Sequence, residues 1–147
     1  MEVYRIHDRR FDALSGMGAA LRSGRWNPFG VPVVYTSLAY EGTLLEVLAR
    51  VVARGIPIGH VASRIHVPED CRVEVLEEAD WPGWHDRARS HDIGREWVDS
   101  RHSVALVVPS YVARPWGRNV VLNPQHPDFR AVRVAEDIPV TWDTRLF

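Results

Sequence analysis

Between Gly24 and Arg54 the chain reads G-R-W-N-P-F-G-V-P-V-V-Y-T-S-L-A-Y-E-G-T-L-L-E-V-L-A-R-V-V-A-R. Few arrangements accommodate such a run. A loop punctuated by Pro28 and Gly30 leads into a valine-rich stretch over 31–36, whose β-branched residues favour a strand. The strand passes almost directly into a helix. Ser37 is placed to cap it, Glu41 suits the first turn, and Leu44, Leu45, Val47, Leu48, Val51 and Val52 recur at helical spacing. Gly55 and Pro57 then stop it. Loop, strand and helix each deliver one chemically distinct group: the Arg25 guanidinium, the Tyr35 phenol and the Glu46 carboxylate. The expectation is that the three converge on one pocket for an anionic ligand that contains a ring. Glu46 sits among small residues (Gly42, Ala49, Ala53) rather than the charged residues of an ordinary solvated face, which suggests close approach by a ligand or another surface.

The remaining chain supplies the frame. Strands are expected over 2–6, 61–67, 72–76, 119–122 and 130–134. V-A-L-V-V lies in the most apolar one, 103–108, expected to be central. A weak helix over 11–21 and a firmer one over 90–100 complete the pattern, with W-P-G-W at 81–84 as a turn and N-P-Q-H-P at 123–127 as a loop stiffened by two prolines. Residues 1–147 therefore read as a single α+β domain with a mixed sheet.

Composition removes several classes of chemistry. All 18 basic residues are arginine, so no lysine Schiff base or P-loop lysine can form, and an anion must be gripped by guanidinium forks, backbone N–H groups or histidine. A net charge of -1 gives no basic footprint for nucleic acid. The single cysteine, Cys71, excludes an internal disulfide, and no metal site is expected because the histidines at 7, 60, 66, 85, 91, 102 and 126 form no ligand motif. There is no G-x-S-x-G elbow and no dinucleotide-binding glycine fingerprint. The longest aliphatic run is too short to span a bilayer, and the first ten residues lack a signal peptide's apolar region, so the expected location is the cytoplasm.

Taken one at a time, the candidate residues have plainer readings. Arg25 could cap its own loop, although Trp26 and Asn27 beside it make a rigid polar surface suited to phosphate or carboxylate. Tyr35 could be a half-buried strand aromatic, and Glu46 with Arg50 an i, i+4 surface pair worth about 0.3–0.5 kcal/mol. Asn119, Asn123 and His126 could be turn residues. Trp81, Trp84 and Trp116, all in expected loops, serve either packing or a partner interface.

The combination resembles the RES-domain toxins of bacterial toxin–antitoxin pairs. The resemblance rests on G-R-W-N-P-F-G-V-P-V-V-Y-T-S, then L-L-E-V-L, the V-P-S segment, N-V-V-L-N-P-Q-H-P-D-F and the terminal D-T-R-L-F. Arg25 and Glu46 match the Arg and Glu of the family name. The serine position is open between Ser110, in V-P-S, and Asn123, which holds the late polar position. The resemblance implies a split mixed sheet with flanking helices, similar to the ADP-ribosyltransferase fold. It also implies cleavage of the nicotinamide–ribose bond of NAD as substrate, with no further cofactor. Water or phosphate would be the acceptor, or alternatively a protein in a mono-ADP-ribosyl transfer. A non-catalytic nucleotide- or partner-binding module is a third reading. On the catalytic reading Arg25, Tyr35 and Glu46 act on the bond. Arg25, Trp26, Asn27, Tyr35, Asn123 and His126 hold NAD, and Ser110 and Arg50 are further candidates. The implied partner is an Xre-type helix-turn-helix antitoxin, through which any DNA contact would run. Self-association is left open.

Overall fold

The strands pair into one sheet in the order β4-β5-β6-β2-β1-β3-β7. In chain order the elements are β1 (Glu2–Asp8), α1 (Met17–Arg22), β2 (Val34–Ser37), α2 (Tyr40–Val51), β3 (His60–His66), β4 (Val73–Val75), α3 (Arg87–Ser100), β5 (Ala105–Pro109), β6 (Arg118–Leu122) and β7 (Arg133–Pro139). The computed structural model describes residues 1–51 and 55–147, so Val52 of the expected apolar face of α2 and Ala53 of the opposite, Glu46-bearing face lie outside the described residues. The β4–β5 pair is parallel and the others antiparallel, which makes the sheet mixed.

The sheet is divided. β1 pairs with β3 over its whole length, but with β2 through Tyr4 and Ser37 alone. One half is therefore β4-β5-β6-β2 and the other β1-β3-β7, hinged at that pair. This is the split mixed α+β architecture expected of the chain.

Alternation along the strands assigns the two faces, since residues directly opposite on paired strands share a side. Val34, Val120, Leu122, Ala105 and Val107 join Val3 and Ile65 in one core. Leu106, Val108 and Val121 face the other way, onto Trp26, Trp84, Trp97 and Ile93. The amphipathic α3 covers this second side. It begins three residues before the expected start because Asp86 caps it, accepting from the Arg89 N–H. Its Trp97 indole donates to Ser103 Oγ at 2.8 Å.

Several expectations shift. β5 is buried along its full length but lies second from an edge, because covering elements rather than centrality exclude water from it. Residues 127–131 form a 3-10 turn, and the last strand starts only at Arg133. Ser37 belongs to β2, and its hydroxyl donates to the Arg118 carbonyl instead of capping α2. Gly42 is small for the sheet's sake: a Cβ there would overlap the Ser37 hydroxyl, so α2 lies close against β2. Among the described residues no helix is long and apolar enough to cross a membrane, and no group of histidine, cysteine or acidic residues could hold a metal ion.

Candidate active site

Glu46 is the centre of a polar cluster that joins α2, β6 and the end of β5. Its Oε1 accepts from Asn119 Nδ2 at 2.6 Å and from Ser110 Oγ at 3.3 Å. Its Oε2 lies 3.9 Å from Arg50, a loose and largely solvated pair. The side chain remains 26% exposed, so the carboxylate is oriented by its neighbours yet open to a ligand. The elements dictate this meeting. β6 places Asn119 opposite Ser37 on β2 and Val108 on β5, on the face against which α2 rests. Ser110 follows the end of β5, and its Oγ also accepts from the Ala113 N–H, which ties down the start of the 110–117 loop. That loop is closed by Ser110 N–H donating to the Gly117 carbonyl. Asn119 Oδ1 is buried and accepts no hydrogen bond among the described residues, leaving an acceptor beside the carboxylate.

Arg25 reaches the same neighbourhood through Tyr111, the residue after Ser110. Its guanidinium lies 4.2 Å from the centre of the Tyr111 ring, and Nη1 donates to the His85 carbonyl at 3.2 Å. Behind it, Trp84 meets Tyr111 edge-on and stacks with Trp26, a wall of aromatic rings. Arg25 makes no ion pair among the described residues, so most of its donors stay available to an anion.

Tyr35 stands on the Asn119 face of β2, two residues before Ser37. Its hydroxyl donates to Asn27 Oδ1 at 2.7 Å and accepts from the Trp26 N–H at 2.9 Å. Burial drives the phenol well above its ordinary pKa. The hydroxyl thus fastens the loop that carries Arg25, while the ring is what it can show a ligand.

Asn27 is the hub of that loop. It is fully buried; Oδ1 accepts from Gly24 N–H and Tyr35, and Nδ2 donates toward the carbonyls of Ala19 and Val31. No hydrogen-bonding capacity is left for a ligand. Trp26 is likewise a core side chain, 3% exposed. The structure thus brings Ser110, Asn119 and Arg50 to Glu46, sets Arg25 against the Tyr111 that follows Ser110, and ties the Arg25 loop down through Tyr35, with Trp26 and Asn27 as its buried support.

Asn123 and His126 do not join. Both lie past the far end of β6, Asn123 four residues or about 13 Å along the chain from Asn119 and His126 three residues further on. Asn123 is fully buried, donating to the Val98 carbonyl and accepting from the Gln125 N–H. His126 Nδ1 accepts from the Asp128 N–H and caps the 3-10 turn. Of the serine alternatives, only Ser110 touches Glu46. Asn119, read as a turn residue, is the site residue missed; its signal was a polar side chain inside an otherwise apolar N-V-V-L strand. Of the three loop tryptophans, Trp84 is buried and Trp116 stands in solvent, 86% exposed.

A family profile described as the RES domain matches residues 2–143. A protein named Toxin Res from Photorhabdus laumondii is 32% identical over 99% of this chain and 97% of its own length. A protein named Prs ADP-ribosylating toxin, from a Sphingobium species, is 30% identical over 92% of this chain and 87% of its own. The crystal structure of the Mycobacterium tuberculosis MbcT-MbcA toxin-antitoxin complex contains a chain similar in fold, with a TM-score of 0.75 at 22% identity, over 95% of this chain and 84% of that one.

Proposed function

The chain belongs to the RES domain family, and from that premise we propose that it is a toxin that depletes NAD by breaking the bond between nicotinamide and ribose. The observation that carries the proposal is the Glu46 carboxylate, oriented by Asn119 and Ser110, with the Tyr111 next to Ser110 lying against an arginine that has no ion-pair partner among the described residues. When nicotinamide leaves, it takes the bonding electrons and loses its ring charge, and positive charge spreads over the ribose C1 and ring oxygen. A preorganised carboxylate stabilises that charge, and such groups contribute on the order of 3 kcal/mol to the rate. Arg25 holds phosphate oxygens, Tyr35 offers its ring face, and water or phosphate supplies the new bond to C1, releasing its proton. Asn119 and Ser110 both donate to Oε1, keeping that oxygen fixed and leaving Oε2 toward the ligand. The reaction runs without a further cofactor in the cytoplasm, and a cognate Xre-type antitoxin is the partner that silences it.

Transfer of the ADP-ribosyl group to a protein is the second reading, favoured by the name of the Sphingobium relative. Incubation with NAD, with and without phosphate, separates the readings: release of nicotinamide with small-molecule products supports NAD depletion, and label carried onto a protein supports transfer. No nicotinamide release from folded protein in either buffer refutes NAD depletion, and no label on any protein when cell extract is added as acceptor refutes transfer. Glu46→Gln lowers kcat by about 100-fold or more with KM little changed; undiminished activity removes Glu46 from the chemistry.

A further inference from the structure

We propose that Arg114 forms, with Arg25, a two-arginine clamp for the diphosphate of the substrate; the assignment rests on reading NAD as that substrate. The two guanidiniums share one platform. Arg25 lies 4.2 Å and Arg114 4.1 Å from the centre of the Tyr111 ring, so the two guanidinium carbons are at most about 8.3 Å apart. Neither has a carboxylate partner among the described residues. Arg114 makes no side-chain hydrogen bond there, and Arg25 makes one, to the His85 carbonyl. Two like charges held over one ring repel each other, and an anion bridging them relieves that repulsion. A guanidinium fork takes two oxygens of one phosphate, so two arginines within this limit of each other can each take one phosphate of a diphosphate. The Tyr111 ring attracts both cations by cation–π interaction without neutralising them.

The clamp also has the right place. Tyr111 follows Ser110, whose hydroxyl touches Glu46, so the diphosphate lies one residue along the wall from the carboxylate that faces the ribose. The loop bearing Arg114 is closed at Ser110–Gly117 and again by Gly117 N–H donating to the Ala113 carbonyl, so Arg114 is presented from a defined turn. Arg114 is exposed, so its replacement leaves the core untouched.

The test measures NAD turnover, and calorimetric binding of ADP-ribose, for the wild type, Arg114→Gln and Arg114→Lys. Loss of one charged hydrogen-bonding fork raises the KM for NAD and the Kd for ADP-ribose about tenfold, with kcat within about twofold, and lysine restores part of the loss. Unchanged constants in Arg114→Gln, a fall in kcat at constant KM, or no binding of ADP-ribose to the wild type overturns the clamp. A raised phosphate requirement with unaltered ADP-ribose affinity also overturns it, because Arg114 then serves the acceptor. If the wild type binds ADP-ribose through Arg114 yet releases no nicotinamide, the clamp stands and the NAD-depletion reading falls.

Discussion

Replacing Asn27 by alanine separates support from ligand contact at this site. The side chain is fully buried and makes four short hydrogen bonds, to Gly24 N, Tyr35 Oη, Ala19 O and Val31 O, at 2.8, 2.7, 2.8 and 2.9 Å. Each such bond contributes about 0.5–1.5 kcal/mol net, and a buried partner left unpaired costs about 1–3 kcal/mol. Water entering the space left by the amide can restore some of these partners, so the expected loss is about 3–4 kcal/mol rather than the full sum. Against a typical total stability of about 5–15 kcal/mol that is severe. At about 2–4 °C per kcal/mol for a chain near this length, the midpoint of thermal unfolding falls by about 10 °C. Urea unfolding followed by tryptophan fluorescence measures it directly, because Trp26 and Trp84 stack beside the loop. A loss below about 1 kcal/mol, accompanied by a clear drop in NAD affinity, would refute the argument and return Asn27 to the ligand.

Gly94→Ala in α3 places a methyl group into the Trp26 carbonyl, backbone against backbone, and should cost about 3 kcal/mol or yield insoluble protein; wild-type urea stability would contradict the close packing of α3 on this loop. Asn119→Ala removes the shorter of the two hydrogen bonds to Glu46 Oε1 and should lower kcat about tenfold while stability changes little, and an unchanged kcat would remove its positioning role. Tyr35 gives a pH signature: its folded pKa is raised by burial, so above about pH 10 the unfolded chain loses a proton that the native state keeps, and stability falls as pH rises. In Tyr35→Phe the stability is lower near neutral pH, but its decline above about pH 10 is shallower; an equally steep alkaline decline in both proteins would contradict the assignment.

Much of the frame was legible in the chain because it depends on neighbours close in sequence. β-Branching over 31–36, helical spacing after Leu44 and the punctuation at Pro28 and Gly30 act locally, so the order of loop, strand and helix followed from the residue types. The charged chemistry followed equally: without lysine, an anion site must use arginine, histidine or backbone N–H groups. The partners of those groups are another matter. Glu46 meets Ser110 and Asn119 across 64 and 73 residues, a meeting set by strand order and register. A polar residue on a strand can be read from the chain, but the end of the strand on which a site forms cannot. Asn119 and Asn123 therefore looked alike, and the pairing of Asn119 with Ser37 brought only the first to Glu46. The same holds for Asn27, whose amide suits a ligand or a loop equally until the Ala19 and Val31 carbonyls and the Tyr35 hydroxyl close around it. Local physics chose the elements and the kinds of chemistry available. The tertiary structure alone decided which side chains gather around Glu46, because that depends on contacts between segments that no local rule connects.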